Sequence, residues 1–405
     1  MGMKKHYFYG PSGEFLPLEE RLEVKKNQKK FVIGIPKEIS FQEHRVSLVP
    51  DSVKMLTCNG HEVLIEDGAG EFARFSNHDY TEAGGEIVNN HNELFARADI
   101  IVKVAPLLKQ EVDYMKKNQI IISAVNYHSQ SKEYFDSLIS KNATAIGFEF
   151  IKDNSGRYPV LMSMSEIVGY GVIQLAAHYL SDNKLSKGYL FGGLPGLNST
   201  EVVIIGAGRV GLFAAKAAKA FGALVKVFDN KLYKLRDVVA QIGNDVYTSV
   251  LHPSVVSKAI KTANVVICAL YLNDDELPFL LTEDLVKEMK EGSIIFDVSI
   301  DQGGCCETSE ITYVDNPIFV KHGVIHYCVP NIASNFPRTA AYALSNFFTP
   351  LILDISENGG IKEFLRINPA FAEGVYILDE KICHPLIAQH FNYKYTPIQL
   401  LLGGF

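Results

Sequence analysis

The sequence predicts an α/β protein in which two mostly parallel sheets are separated by a cleft. Two successive series of short apolar runs alternate with helix-like stretches, which is typical of βαβ units. A glycine-rich turn stands near the start of the second series, where a predicted strand passes into a predicted helix. The chain of 405 residues is also too long for one ordinary core, so two or three domains are expected.

Composition and charge exclude several classes of protein. The chain has 46 acidic against 39 basic residues, and the resulting net charge of −7 gives no general attraction to nucleic acid or anionic lipid. Its six cysteines show no C-x-x-C spacing, which argues against a zinc site or a disulfide scaffold. No segment approaches the roughly 20 apolar residues of a membrane span, and the N-terminus lacks the apolar core of a signal peptide. We expect a cytoplasmic protein that binds small molecules or proteins, without nucleic acid or membrane.

The first series of elements follows a polar arm over residues 1–29. Short apolar runs predict buried strands, and in this series they lie at 31–35, 63–65, 100–102, 120–122 and 145–148. Helix-like stretches between these runs lie at 51–56, 92–96 and 132–139. This alternation predicts one mostly parallel sheet.

The second series predicts a second sheet, with strands at 202–205, 224–228, 265–267 and 293–296. A helical stretch at 165–180 connects the two series, and another at 339–355 is expected to cross back to the first domain. The predicted limits are 1–29 for the arm, 30–163 with 338–405 for a discontinuous first domain, and 164–337 for the second domain.

The glycine-rich turn has the G-x-G-x-x-G pattern of a dinucleotide site, here Gly206, Gly208 and Gly211. Gly206 permits the tight turn, Gly208 lets the backbone approach a pyrophosphate, and Gly211 brings the helix against the strand. The anion is expected at the N-terminus of the helix, where free N–H groups and the helix dipole favour it. The alternative is a tight turn that binds no ligand.

The next predicted strand ends at Asp229, where an acid accepts hydrogen bonds from the adenosine ribose. Its carboxylate would repel a 2′-phosphate, so the sequence favours NAD over NADP as the cofactor. Lys231 and Lys234 follow closely and would soften that repulsion, and Lys234 is included among the predicted cofactor-binding residues.

Several further segments reinforce this pattern: G-I-P-K-E at 34–38, E-H-R-V at 43–46, G-H-E-V at 60–63, D-G-A-G at 67–70, M-S-E-I-V-G at 164–169, G-G-L-P-G at 192–196, D-V-S-I-D-Q-G-G-C at 297–305, Y-C-V-P-N at 327–331 and T-A-A-Y-A-L at 339–344. Together they resemble the alanine dehydrogenase family, which also includes the alpha chain of the proton-translocating transhydrogenase. The D-Q-G-G segment at 301–304 is similar to the dehydrogenase branch.

The resemblance implies two Rossmann-like domains, with the substrate in the discontinuous domain and NAD in the other. It implies the reversible conversion of L-alanine, water and NAD to pyruvate, ammonium and NADH by a homohexamer or homodimer. Two alternatives stay open: a dehydrogenase for another amino or imino acid on the same scaffold, and a transhydrogenase-like NAD(H)-binding subunit without catalysis.

Two cationic residues are candidates for binding the substrate. Arg45 suits a carboxylate because guanidinium can bind it through two hydrogen bonds. Its alternative role is a surface ion pair with Glu43 or Glu38. Lys103 follows a predicted strand, and open α/β sheets place ligands at such carboxyl ends. The resemblance assigns both residues to substrate binding, although K-V-A-P at 103–106 departs from the family's usual K-V-K-E-P.

The acid/base position is ambiguous in the sequence. The resemblance implies a histidine after the strand at 120–125, and imidazole suits proton transfer near neutral pH. Alignment from the left places this position at Asn126 and alignment from the right at Tyr127, so His128 serves only with a local loop shift. His128 is our assignment, and an exposed loop histidine is the alternative.

Asp301 follows the strand at 293–298, and the resemblance makes it catalytic, either orienting water or stabilising an iminium; otherwise it is a turn residue. Ser165 and Asn331 match family positions near the pyrophosphate and the nicotinamide, with helix capping as their alternative. The loop after Asn331 reads I-A-S-N-F-P, which departs from the family and affects the nicotinamide pocket. Cys305 and Cys306 are expected to pack as apolar residues, and no metal site is predicted.

Overall fold

The computed structural model describes residues 28–270 and 280–403, and within these ranges the strands form two sheets. The arm predicted for residues 1–29 lies almost entirely outside the described residues. The predicted fold class is confirmed, because each sheet is mainly parallel and its strands alternate with helices along the chain.

The first sheet has eight strands in the order β15-β14-β6-β5-β4-β1-β2-β3. Its strands are β1 (Val32–Ile35), β2 (Glu62–Glu66), β3 (Glu86–Val88), β4 (Ile100–Val102), β5 (Ile120–Ser123), β6 (Thr144–Gly147), β14 (Val375–Leu378) and β15 (Lys381–Ile382). Strands β1 to β6 are parallel, whereas β14 is antiparallel to both β6 and β15. The sheet therefore combines two distant parts of the chain.

The second sheet has seven strands in the order β12-β13-β11-β10-β7-β8-β9. They are β7 (Glu201–Ile205), β8 (Leu224–Phe228), β9 (Tyr247–Ser249), β10 (Val265–Cys268), β11 (Ile294–Asp297), β12 (Ile318–Lys321) and β13 (Val324–Tyr327). Only β12, which pairs with β13, runs antiparallel within it. All seven strands come from one continuous stretch of chain. The domain limits given above stay a prediction, and the limit at 163/164 falls inside a helix.

The described α-helices are α1 (Pro50–Cys58), α2 (Asn77–Glu82), α3 (His91–Arg97), α4 (Lys109–Tyr114), α5 (Lys132–Ser140), α6 (Pro159–Ser181), α7 (Arg209–Ala220), α8 (Leu232–Ile242), α9 (Pro253–Thr262), α10 (Glu283–Lys287), α11 (Pro337–Glu357), α12 (Ile361–Ile367), α13 (Pro369–Ala372), α14 (Pro385–Phe391) and α15 (Ile398–Leu401). Several begin with proline, whose fixed φ suits the first helical turn and whose missing N–H is not needed there.

Both faces of each sheet are buried, as expected when helices cover both sides of a parallel sheet. In β4, Ile100 and Val102 join one core cluster and Ile101 joins another on the opposite face. In β7 the same alternation places Val202 and Ile204 on one face and Val203 and Ile205 on the other. Continuous apolar runs in the sequence therefore correspond to strands with two buried faces.

Two long helices connect the sheets. Helix α6 packs against α7 of the second sheet and against α11. Helix α11 follows Phe336, which packs against a core cluster of the second sheet, yet its residues Ala341, Leu344 and Phe348 lie in a core cluster of the first. Among the described helices, only α6 is long and apolar enough to span a membrane, which the sequence analysis did not expect. Core helices of soluble proteins can have the same length and composition.

Candidate active site

The glycine-rich turn lies between β7 and α7 and has the geometry of an anion site. Gly206 has φ +110°, and a Cβ there would lie 2.3 Å from the carbonyl oxygen of Ala269. A Cβ on Gly211 would lie 1.8 Å from the carbonyl oxygen of Gly206, so helix and strand touch as predicted. By contrast, a Cβ on Gly208 would meet nothing within 4 Å. No side chain caps α7 at Gly208, which leaves backbone N–H groups and open space for a diphosphate.

Asp229 supports this turn from the end of β8. Its side chain is almost fully buried, with Oδ2 accepting a hydrogen bond from Ala207 N at 2.8 Å and Oδ1 from Lys231 N at 2.7 Å. Lys234 Nζ lies 3.8 Å from Oδ2. The predicted acid and lysine are therefore adjacent to the glycine-rich turn, and the carboxylate holds the turn in addition to any contact with a ribose.

Helix α6 lies across the start of α7 and brings Ser165 and Glu166 near the turn. Arg209, the first residue of α7, forms an ion pair with Glu166 and stacks on Phe213 with 4.9 Å from its guanidinium carbon to the ring centre. The two helices are in close contact at Gly169, where an added Cβ would lie 2.7 Å from Val210 O. Ser165 is half-buried in α6, and its predicted contact with the pyrophosphate stays a prediction.

Arg45 lies on the loop after β1 and is held by Glu43. The Nε and Nη2 atoms of Arg45 donate to the two carboxylate oxygens of Glu43, at 2.7 and 2.5 Å, and Nη1 lies 3.5 Å from Met164 Sδ. Burial would raise the pKa of Glu43, but the charge of Arg45 lowers it below its ordinary value. The alternative of an ion pair with Glu43 is thus present, although the pair is buried and not on the surface.

Asn331 lies at the rim of the second sheet and meets this pair from across the cleft. Its Nδ2 atom donates to Glu43 at 3.0 Å, and the Ser334 hydroxyl donates to the other Glu43 oxygen at 3.0 Å. The His44 N–H donates to the Ser334 hydroxyl. The predicted nicotinamide residue and the predicted carboxylate-binding residue are therefore connected through one carboxylate.

Lys103 directly follows β4 and is fully buried. Its Nζ atom lies 2.5 Å from Glu38 and 3.4 Å from Glu111, and Val104 N donates to the same Glu38 carboxylate. Burial alone would lower the pKa of Lys103, but these two carboxylates raise it above its ordinary value. Lys103 is therefore a fixed ammonium ion at the carboxyl end of the sheet.

The residues after β5 form a short 3-10 helix, Tyr127–Ser129, preceded by Asn126 with φ +46°. Glu149 holds this bend, because its Oε1 atom accepts hydrogen bonds from Val125 N and Asn126 N while Oε2 is buried without a hydrogen-bond partner. Burial raises the pKa of Glu149. The bend exposes both Asn126 and His128, and leaves Tyr127 partly buried.

The His128 ring contacts Tyr127 at 3.9 Å and His390 at 5.5 Å between ring centres. Among residues 28–270 and 280–403, no described hydrogen bond, ion pair or ring contact joins His128 to Asp301, Arg45 or Lys103. The assignment of the acid/base position among Asn126, Tyr127 and His128 therefore stays a prediction.

Asp301 lies in a short 3-10 helix, Ile300–Gln302, after β11, and is exposed at the surface. Removal of its carboxyl from bulk water by the surrounding protein, together with the charge of Asp297, raises its pKa to about 6. Asp297 is buried beneath this loop and accepts hydrogen bonds from Cys305 N, Cys306 N and Ser309 Oγ. The loop that carries Asp301 is thus held by a second carboxylate.

Sequence reasoning missed the carboxylates that hold these candidates, namely Glu111 and Glu149, and it gave Glu43 only as an ion-pair partner. It missed His91, which lies between two carboxylates. The E-H-R-V motif includes Glu43, but no local sequence pattern indicates Glu111 or His91. Glu111 contacts Lys103, and His91 contacts Glu111, because the order of strands in the sheet brings their helices together. Cys305 and Cys306 are buried free thiols, as expected. No metal-binding group of three or more His, Cys, Asp or Glu side chains occurs in the part of the chain that the structure describes.

Comparison with known proteins agrees with the family resemblance found in the sequence. The family model for the N-terminal domain of alanine dehydrogenase/PNT matches residues 34–168, and that for the C-terminal domain matches residues 172–385. The chain is 38% identical over 373 residues to an alanine dehydrogenase from Methanococcus maripaludis, covering 92% of this chain and 100% of that protein. It is 37% identical to an alanine dehydrogenase from Bacillus subtilis, covering 92% and 97%.

Solved structures agree in fold. A structure of an L-alanine dehydrogenase matches with a TM-score of 0.82 at 34% identity, covering 89% of this chain and 99% of that one. A transhydrogenase structure from Sinorhizobium meliloti matches with a TM-score of 0.74 at 21% identity, covering 88% and 99%, which is a likeness of fold alone.

Proposed function

The chain belongs to the alanine dehydrogenase/PNT family, and from this premise we propose that it is an alanine dehydrogenase, which converts L-alanine and water reversibly to pyruvate and ammonium. The reaction is an oxidation at a carbon that carries an amino group, with a nicotinamide dinucleotide as the second substrate. The family and the fold both support this class of reaction.

One observation supports the location of the reaction. Glu43 accepts hydrogen bonds from Arg45 on the first sheet's side of the cleft and from Asn331 and Ser334 on the second sheet's side. A group that binds a carboxylate is therefore held beside the rim where open α/β sheets bind cofactors. A small amino acid bound by Arg45 would have its α-carbon close to that rim.

We assign the substrate carboxylate to Arg45 and Lys103. The guanidinium of Arg45 is fixed in orientation by two hydrogen bonds to Glu43, and the ammonium of Lys103 is fixed by Glu38. Two oriented cations, Arg45 largely buried and Lys103 fully buried, favour a carboxylate and position it before reaction. Their carboxylate partners also prevent an excess of positive charge when the site is empty.

Proton transfer is assigned to Asp301 and to the bend after β5. With a pKa of about 6, Asp301 is mainly ionised at pH 7.5 and can accept a proton from the attacking water. His128 is the preferred second acid/base group, and Tyr127 is its alternative.

The second sheet supplies the cofactor site. A bound nicotinamide ring would accept hydride from the α-carbon of the amino acid. Gly206, Gly208 and Gly211 leave room for the diphosphate, Ser165 adds a hydroxyl, and Asp229 with Lys234 lies where the adenosine ribose is expected. Because the Asp229 carboxylate would repel a 2′-phosphate, we propose NAD as the preferred cofactor.

The proposal also covers the roles of the two domains, the cellular location and the assembly of the protein. The discontinuous domain, 30–163 with 338–405, binds the substrate, and the domain at 164–337 binds NAD. The protein is proposed to be a cytoplasmic homohexamer or homodimer that uses no nucleic acid or membrane partner. Light scattering coupled to size-exclusion chromatography would distinguish the two assemblies.

Initial rates of NADH formation test the activity. We expect turnover of L-alanine with NAD, a kcat/KM at least tenfold lower with NADP, and lower values for larger L-amino acids. Saturation by a larger amino acid but not by alanine would replace alanine as the substrate. Tight NADH binding without oxidation of NADH by pyruvate and ammonium would instead indicate a non-catalytic binding subunit.

A further inference from the structure

A row of buried charges lies behind Lys103. His91, the first residue of α3, has Nδ1 2.6 Å from Glu66 at the end of β2 and Nε2 3.0 Å from Glu111 on α4. Glu111 in turn lies 3.4 Å from Lys103 Nζ. We call Glu66, His91, Glu111 and Lys103 the His91 row.

The row is largely shielded from solvent, since the side chains of Glu111 and Lys103 are fully buried and those of His91 and Glu66 are each only 11% exposed. Salt screens such charges much less than surface charges. The Phe95 ring stacks on His91, with 5.8 Å between ring centres. A change of charge at His91 is therefore felt along the row.

Both nitrogens of His91 face carboxylates, and only the protonated ring can donate from both. Burial alone would lower the pKa of His91, but its hydrogen bonds to Glu111 and Glu66 raise it to about 9. These two carboxylates are the charged groups that face the ring, with Lys103 and Glu38 one step further along. On α3 itself, Glu93 bonds to Arg97 instead.

Glu111 connects His91 to Lys103. One Glu111 oxygen accepts from His91 and lies near Lys103, while the other accepts a hydrogen bond from Leu108 N at 2.7 Å. The carboxylate is thus fixed in place and shared between two cations. When His91 loses its proton, the whole negative charge of Glu111 acts on Lys103.

We propose that the proton on His91 sets how strongly Lys103 binds the substrate carboxylate, with Glu111 as the positioning residue that connects them. The proposal rests on the substrate-binding role proposed for Lys103. With His91 charged, Glu111 is compensated from behind and the ammonium remains available to the substrate. With His91 neutral, two carboxylates compete with the substrate for Lys103.

The direction of the pH dependence follows from this arrangement. His91 is charged well below pH 9 and loses its charge as the pH rises through about 9. Affinity for the substrate carboxylate is therefore high near pH 7.5 and falls at higher pH. Lys103 does not cause this fall, because its own pKa lies above its ordinary value.

Pyruvate binding to the enzyme–NADH complex without ammonium tests the proposal, since no turnover occurs and pyruvate does not titrate between pH 7.5 and 10. In the wild type we expect the Kd for pyruvate to rise about tenfold across pH 9, which corresponds to about 1.4 kcal/mol. His91→Gln should have a Kd about tenfold higher at pH 7.5 and no step. The Kd for NADH should stay within about twofold.

Two further variants separate charge from structure. His91→Lys keeps a cation between the carboxylates, so it should retain tight pyruvate binding and lose the step up to pH 10. His78→Gln removes an exposed histidine that pairs with Glu82 and should behave as the wild type.

The proposal is overturned if His91→Gln shows the wild-type Kd and pH step. If His91→Gln does not fold, the proposal is overturned when the wild type and His91→Lys show the same rise in the Kd for pyruvate at the same pH. Failure of the wild type to oxidise alanine contradicts the proposed function, whereas pyruvate binding that ignores His91 in an active enzyme contradicts only this inference.

Discussion

Asp301 is the candidate side chain whose chemistry depends most on its surroundings. It lies on an exposed 3-10 helix after β11, yet the protein around it and the nearby Asp297 raise its pKa to about 6. A carboxyl group in this range can exchange a proton near neutral pH, where an ordinary aspartate is ionised throughout. The raised pKa of Asp301 comes mainly from the removal of its carboxyl group from water, and the charge of Asp297 adds to this effect.

We expect Asp301→Asn to lower kcat by roughly 100-fold or more, because an amide of equal size cannot take up the proton. The Kd for NADH should stay within about twofold. The raised pKa predicts a second effect: the stability associated with the protonated acid is present below about pH 4 and is lost as the pH rises through about 6. At pH 7.5 the variant should therefore melt at the same or a slightly higher temperature.

Asp284→Asn is the matched control, since the Asp284 side chain is 92% exposed and pairs with Lys287 on its own helix. It should leave kcat unchanged. Near-normal turnover in Asp301→Asn, measured by steady-state rates and NADH fluorescence, would remove Asp301 from proton transfer.

Sequence reasoning identified the residues expected to face a ligand better than those that hold them. Lys103 and Asp301 each follow an apolar run, so their place at a carboxyl end could be predicted. Arg45 was indicated by its side-chain chemistry and by the E-H-R-V motif instead. Glu111 reaches Lys103 from the following helix, and His91 reaches Glu111 because β2, β1 and β4 are neighbours in the sheet. No local spacing encodes that order of strands.

Gly208 and Gly211 of the glycine-rich turn between β7 and α7 are expected to have different roles. Gly208→Ala adds a Cβ into open space, so we expect near wild-type thermal stability. The same methyl group occupies the room proposed for the diphosphate, so the Kd for NADH should rise at least tenfold. Thermal melts and NADH titration measure both quantities on one sample.

Gly211→Ala is the contrasting change. Its Cβ would lie 1.8 Å from Gly206 O, so α7 must move away from β7 and the fold should lose stability by roughly 1–3 kcal/mol. If Gly208→Ala bound NADH as tightly as the wild type, the diphosphate would not lie against that backbone.

The elements that sequence patterns missed are short or depend on distant partners. Strands β3 and β9 have three residues each and, unlike the equally short β4, are not continuously apolar. The run at Val375–Leu378 is apolar, but it becomes a strand by pairing with Thr144–Gly147, far away along the chain. The long helices were predicted within a few residues because their patterns are local: 165–180 against Pro159–Ser181, and 339–355 against Pro337–Glu357.

At the scale of the whole molecule, Ser334 helps to join the two sides of the cleft. It is fully buried and bonds to Glu43 and to His44 N. We expect Ser334→Ala to raise the KM for alanine and for pyruvate about three- to tenfold, because Arg45 loses part of the support of its partner. Steady-state kinetics in both directions measure the change.

Ser345→Ala controls for the loss of a buried hydroxyl. Ser345 bonds to Val49 N and Ser47 O, all on the first sheet's side. Both variants should lose stability by roughly 1–3 kcal/mol, from the unsatisfied groups left behind. Equal KM values in the two variants would show that the bonds across the cleft do not position the substrate.

The placement of β14 and β15 in the first sheet has a consequence for how the protein is made. The second sheet is complete once residue 327 has been synthesised, but the first sheet still lacks the two strands that cover β6. During translation we therefore expect the later part of the chain to fold first. The earlier part must wait, with one edge open, until β14 and β15 have left the ribosome.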